Sequence, residues 1–184
     1  MTTRTNTQMT RTTYARIAGF TFLFYIAAGI TSMNLADQSQ IVDVLALFMS
    51  LSALVLGVTL YALTREQGPA LALMALTCRV LEAAQSGESA IYFAVGSTLF
   101  SWLLLRGRMI PVALAWLGVV ASVLLVVILP LQLAGLFGGP MSWSASVTWL
   151  VWLPMLVFEV ALALWLLIKG VAMPTLNVAP SRAD

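Results

Sequence analysis

Histidine is absent from this chain, cysteine occurs once, and lysine and arginine together number nine in 184 residues. Each shortage removes a class of chemistry. With no imidazole and a single thiol, Cys78, the usual ligand sets for zinc, copper and haem are missing, and no internal disulfide can form. A serine or cysteine hydrolase activated by histidine is excluded for the same reason. No catalytic residue, metal site or cofactor is expected. Charged residues make up 9% of the chain, against roughly 25% in an ordinary soluble domain.

What fills the space is apolar. The chain is 61% hydrophobic with a mean hydropathy of +0.98, too apolar to cover its own surface in water. The expected class is all-α, an integral membrane bundle. Six spans of about 20 residues use about 120 residues and leave only short loops and two tails. The runs are Ile17 to Met33, Ile41 to Leu63, a third opened by Pro69, Ser89 to Leu105, a fifth opened by Pro111 and reaching about Leu133, and Ser146 to Ile168. Proline suits the first turn of a helix, and the Gly-Gly-Pro within 135–143 reads as loop. This gives a polar tail over 1–14, a six-helix transmembrane domain over 15–171 and a second tail over 172–184. An Arg-rich, acid-free start also admits a transit or signal peptide, but a short mobile cytoplasmic tail is the plainer reading.

The cations follow this layout. Arg4, Arg11, Arg16, Arg65, Arg106, Arg108, Lys169 and Arg182 fall at the two termini and the second and fourth loops, which share one side of a six-span chain. The opposite side carries Asp37, Asp43 and Glu88 and no cation. Cytoplasmic loops are enriched in Lys and Arg, so both termini are expected in the cytoplasm of a multi-pass protein of the cell inner membrane. The net charge of +2 is explained by topology, and nucleic acid is not an expected partner. The expected partners are the lipid bilayer and either another membrane protein or a second copy of the chain. Trp143, Trp149 and Trp152 at one end of the sixth span, with Trp102 and Trp165 at the other side, read as interfacial belts. Ala53 with Gly57, Ser97 with Ser101, and Gly118 with Ser122 have the spacing of close helix packing.

The ninth cation is Arg79, inside the third run, ten residues and so roughly 15 Å from Pro69. Glu82 is one turn on, and Glu159 lies ten residues back from Lys169 in the sixth span, at the same depth from the same side. Each such charge costs about 2.5–3.5 kcal/mol at the centre of a span, so the three should face inward as an intramembrane cluster. The spacing predicts that Arg79 bridges Glu82 and Glu159 and pins neighbouring helices together. Two carboxylates against one guanidinium leave one acid unmatched, a candidate for holding a proton. Pro154, about one turn before Glu159, should kink the sixth span.

Arg16-Ile17-Ala18-Gly19, Thr59-Leu60-Tyr61-Ala62-Leu63 and Arg79-Val80-Leu81-Glu82-Ala83 carry a resemblance. So do Arg108-Met109-Ile110-Pro111 and the stretch from Glu159 through Leu164-Trp165-Leu166-Leu167-Ile168-Lys169-Gly170-Val171. In these pieces the chain resembles the bacterial domain-of-unknown-function family 4386. The resemblance implies a multi-spanning membrane fold and no particular activity. Two features depart from the family pattern: a short segment, Gln85 to Glu88, between the third and fourth spans, and Val112 where an arginine follows the proline.

Three functions fit these residues, in this order. The first is a non-catalytic bundle, an accessory or regulatory subunit of a membrane complex, with mutually paired charges and no cavity reaching them. The second is a small proton-coupled transporter with Glu82 or Glu159 titrating, which requires a path from one face to the midplane. The third is a membrane-embedded enzyme acting on a lipid or isoprenoid, with the two carboxylates as acid and base. A cavity at the charges, and the place where it opens, separates them.

Overall fold

The computed structural model describes residues 2–35, 38–84, 89–136 and 146–172, with side chains from Thr10 onward. Six α-helices make up the described fold: α1 (Thr2–Asn34), α2 (Ser39–Thr64), α3 (Pro69–Ala84), α4 (Ser89–Arg106), α5 (Val112–Leu133) and α6 (Ser146–Ile168). Their bounds fall where the apolar runs stop. Pro69 supplies the first residue of α3, and Pro111, extended at φ −53 and ψ 134, precedes α5. Gly170 at φ 72 ends α6 in a left-handed turn, with its N–H donating to the Trp165 carbonyl at 3.1 Å.

Each helix packs on the next in chain order, and α6 closes against α1, so the six form a ring. Five of the helices are long and apolar enough to cross a membrane. The sixth is α3, whose 16 residues give about 24 Å of helix. On α2 the side chains of Val44, Leu47, Phe48, Leu51, Val55 and Val58 are exposed, an apolar stripe that water covers only at a cost. Buried hydroxyls inside the helices are satisfied locally: Thr59 donates to Val55 O at 2.7 Å, and Ser122 to Gly118 O at 2.6 Å.

Two expectations change here. The segment read as a mobile tail is helical from Thr2, in one piece with the first apolar run. It contains no Gly or Pro to break the helix, and Arg11 pairs with Glu66 beyond the end of α2. The third and sixth helices are not neighbours either. A ring in chain order puts α3 opposite α6, so Arg79 and Glu159 meet across the middle. Asp37, Glu88, Trp143, Arg182 and the segment 173–184 lie outside the described residues.

One end of the ring carries the α2–α3 and α4–α5 corners, and is called the tail end below. There Ala172 N–H donates to Met109 O at 2.9 Å, tying the chain after α6 to the α4–α5 corner. The other end carries Met33, Ser89 and Trp149 and is called the far end.

Candidate functional site

The centre of the ring is set by backbone approach. A Cβ on Gly57 of α2 would lie 2.9 Å from Arg79 Cβ, and one on Gly96 of α4 would lie 3.1 Å from Cys78 Cβ. Glycines on both neighbours thus let α2 and α4 close on α3 at the level of the arginine. The side chain of Arg79 is 1% exposed.

Arg79 is held on three sides. Its Nη1 donates to Glu82 Oε2 at 2.9 Å, its Nη2 donates to Ser97 Oγ at 3.0 Å, and its guanidinium lies 4.8 Å from the centre of the Phe93 ring. The other oxygen of Glu82 accepts from Tyr25 Oη at 3.0 Å. Arg79–Glu82 and Arg11–Glu66 are the ion pairs among the described residues.

Glu159 stands apart from that network. It is 5% exposed, it forms no ion pair with Arg79, and its Oε1 is buried without a hydrogen-bond partner. Arg79 therefore does not bridge the two acids. The reason is geometric: residues three apart on a helix are already neighbours, so Glu82 reaches Arg79 first, and Ser97 on the adjacent helix takes the second arm. Arg79 and Glu159 do face the same central void, of about 10 Å³, which holds no more than about one water. Towards the tail end it is lined by Leu60, Phe100, Leu104 and Leu162, all of them buried.

Towards the far end the described residues leave a gap. A cavity of about 240 Å³ runs from Met33, Ser89 and Trp149 inward to Tyr25, Glu82 and Glu159. Its shape follows from how α1 meets α6. A Cβ on Gly19 would lie 2.7 Å from the Ala163 carbonyl oxygen, so the two backbones touch there. Ten residues on, Gly29 is turned about 80° from that line and faces α2, with Met49 Cε 3.5 Å from its Cβ position. Beyond the Gly19 contact the cavity lies between the two helices, with Ile26, Ile30 and Met33 of α1 on one side and Trp149, Leu153 and Leu156 of α6 on the other. Its walls include Ile30, Met33, Trp149 and Leu153, all exposed on the outside of the bundle, so the gap reaches the surface between α1 and α6. A second cavity, of about 170 Å³, meets Tyr25 and Glu82 from the α2 side, beside Met49 and Ser50.

Several residues here were not singled out by sequence. Tyr25 is a tyrosine inside an apolar run, and that mismatch is the signal that finds it. Ser97, read as half of a packing pair, instead accepts from Arg79. Gly57 and Gly118 do serve close packing, the latter facing the Phe158 ring and Ser101 Oγ. Trp152, read as a belt residue, turns inward and stacks on Phe93, with ring centres 5.5 Å apart and planes at 29°. On α3, Leu73 and Val80 are exposed, Leu71 and Leu81 are half-buried, and Arg79 and Glu82 point inward.

The model of a protein family, a domain of unknown function named DUF4386, matches residues 86–170. The chain resembles DUF4386. The match takes in α4, α5 and α6, and with them Phe93, Ser97, Trp152 and Glu159. Arg79, Glu82 and Tyr25 lie before it. The DUF4386 match and the apolar helices make this a membrane protein, and the family description carries no activity. No curated protein and no solved structure matches the chain.

Proposed function

We propose that this chain is a small proton-coupled carrier in the bacterial inner membrane, with six spans, both termini in the cytoplasm, and Glu159 as the titrating group. The observation that carries this reading is the 240 Å³ cavity joining the far end of the ring to Glu159. An accessory bundle with sealed, paired charges has no use for such a path. The sorting of Lys and Arg to the tail end makes the far end periplasmic. The lipid bilayer covers the exposed apolar faces, and a second copy or another membrane protein would dock on those same faces.

The two carboxylates divide the work. Glu82 is neutralised by Arg79 and accepts a hydrogen bond from Tyr25, so it is a fixed structural charge. Glu159 faces the same cavity with no cation of its own and a bare oxygen, so a proton or a positively charged substrate group completes it. The apolar plug from Leu60 to Leu162 holds the tail side shut, giving the one-sided access that a carrier alternates. Pro130 inside α5 and Pro154 inside α6 each free a carbonyl and weaken the helix where the bundle must flex. The enzyme reading fits less well, because Glu82 is held by Arg79 and Tyr25 and cannot act as a free acid or base.

Infrared difference spectroscopy on the purified protein tests the assignment. A pH step in heavy water should give a carboxyl C=O band that disappears in Glu159→Gln and persists in Glu82→Gln. A spectrum without a titrating carboxyl band, or one unchanged by Glu159→Gln, contradicts it.

A further inference from the structure

The composition of the cavity wall defines what it can hold. Around Glu159 the charged and titratable groups are Arg79 and Glu82 on α3 and Tyr25 on α1. Arg79 is spent on Glu82 and does not line the cavity. The described wall therefore presents two carboxylates, a phenol and no cation, and one negative charge is left over once Arg79 is counted. The rest of the wall is apolar, with Ile26, Ile30, Leu153 and Leu156, together with the stacked Phe93 and Trp152. An indole face beside an unpaired carboxylate in a largely apolar cavity is the environment that attracts an organic ammonium. Size narrows the class further. An apolar cavity of about 150 Å³ takes one benzene ring, so 240 Å³ leaves room for a ring and a compact charged head.

We infer that the substrate of this carrier is a small hydrophobic organic monocation, a quaternary or protonated amine, seated with its charge beside the Glu159 carboxylate and its apolar body against Trp152 and the α1–α6 cleft. The inference rests on the carrier reading of the same cavity. Cation and proton compete for one carboxylate, so binding at a pH where Glu159 carries its proton breaks that O–H bond. The proton leaves along the cavity to the far side, about one per cation bound. The gap between α1 and α6 admits such a molecule from the bilayer as well as from water. The ammonium of a phospholipid headgroup shares this chemistry.

The test uses the full chain, purified in phosphatidylglycerol nanodiscs, with radiolabelled benzyltrimethylammonium as probe and empty discs as background. Saturable binding is expected, displaced by unlabelled probe and not by benzenesulfonate, an anion of similar size. Glu159→Gln should weaken it at least 10-fold and Trp152→Leu at least 3-fold, and weakly buffered wild-type protein should release protons as the probe binds. Equal binding by Glu159→Gln, displacement by benzenesulfonate, or no saturable binding overturns the inference. If Glu159→Gln does not fold, the cation-against-anion comparison on the wild type decides alone. Weaker probe binding in phosphatidylethanolamine discs assigns the ammonium to a lipid headgroup, and equal binding assigns it to a free cation; both support the charge class. If the infrared band at Glu159 titrates while the probe does not bind, the carrier reading stands and the cation class falls. If the band is missing, the carrier reading itself falls.

Discussion

Arg79 and Glu82, 2.9 Å apart on one turn of α3, satisfy each other and leave Glu159, across the ring, with no cation of its own. A structural clamp between α3 and α6 would have spent both acids on the arginine. Here one acid is built into the wall and the other faces the cavity.

The stability of point variants should reflect this difference. Arg79→Gln and Glu82→Gln each leave a buried charge unpaired and should cost about 3–5 kcal/mol. Glu159→Gln removes a buried carboxylate with no partner and should leave thermal stability in detergent unchanged or raised. A double-mutant cycle should give a larger coupling for Arg79 with Glu82 than for Arg79 with Glu159. The reverse order would restore the clamp.

Tyr25 ties α1 to the pair through one hydrogen bond to a charged acceptor. Tyr25→Phe keeps the ring and removes only that bond, so it should cost about 1.5 kcal/mol. Urea or thermal unfolding in detergent reads the loss. A variant as stable as the wild type would mean that water replaces the hydroxyl from the adjoining cavities.

The glycines divide by what lies opposite them. Gly57→Leu drives a side chain into Arg79 and Leu76 and should cost about 1–3 kcal/mol. Gly118→Ala meets the Phe158 ring and should also destabilise. Gly29→Ala meets only the end of the Met49 side chain, at an ordinary contact distance of 3.5 Å, and should be tolerated, or gain about 0.5–1 kcal/mol from helix propensity. Equal losses at Gly29 and Gly57 would mean that α1 is packed as tightly beside the cavity as α2 is against Arg79.

The helices were legible in the sequence because apolar runs ended by Pro, Gly and charge admit little else: Ser146–Ile168 is read and found with the same bounds. That Arg79, Glu82 and Glu159 are all buried was legible too, since a charge in an apolar run has few other places to go. The pairing among them was not. Depth along a helix can be counted from sequence, but rotation about the ring cannot, so Glu159 was matched to Arg79 by height while Ser97 held the second arm. The cavity was invisible for a related reason. It lies between α1 and α6 beyond their contact at Gly19, and no local pattern in either helix marks where that contact ends. The helical stretch before Tyr14 was missed because its threonines and arginines read as a tail when taken without Glu66 opposite Arg11.

Orientation rests on eight of the nine cations. Reporter fusions at Asp37, Glu88 and Gly139 should report the periplasm, and one at Arg106 the cytoplasm. Reversal at two of these sites would turn the cavity mouth to the other side and would also remove the case for α3 as a span.

The most direct test of the one-sided cavity is thiol accessibility. In a Cys78→Ala background, Leu156→Cys lies on the cavity wall and Leu104→Cys lies on the closed side of the central void. A polar, membrane-impermeant thiol reagent added from the periplasmic side should label Leu156→Cys and should label Leu104→Cys from neither side. If Leu156→Cys stays unlabelled, or Leu104→Cys reacts as fast from the cytoplasm, Glu159 is not at the end of a cavity open on one side.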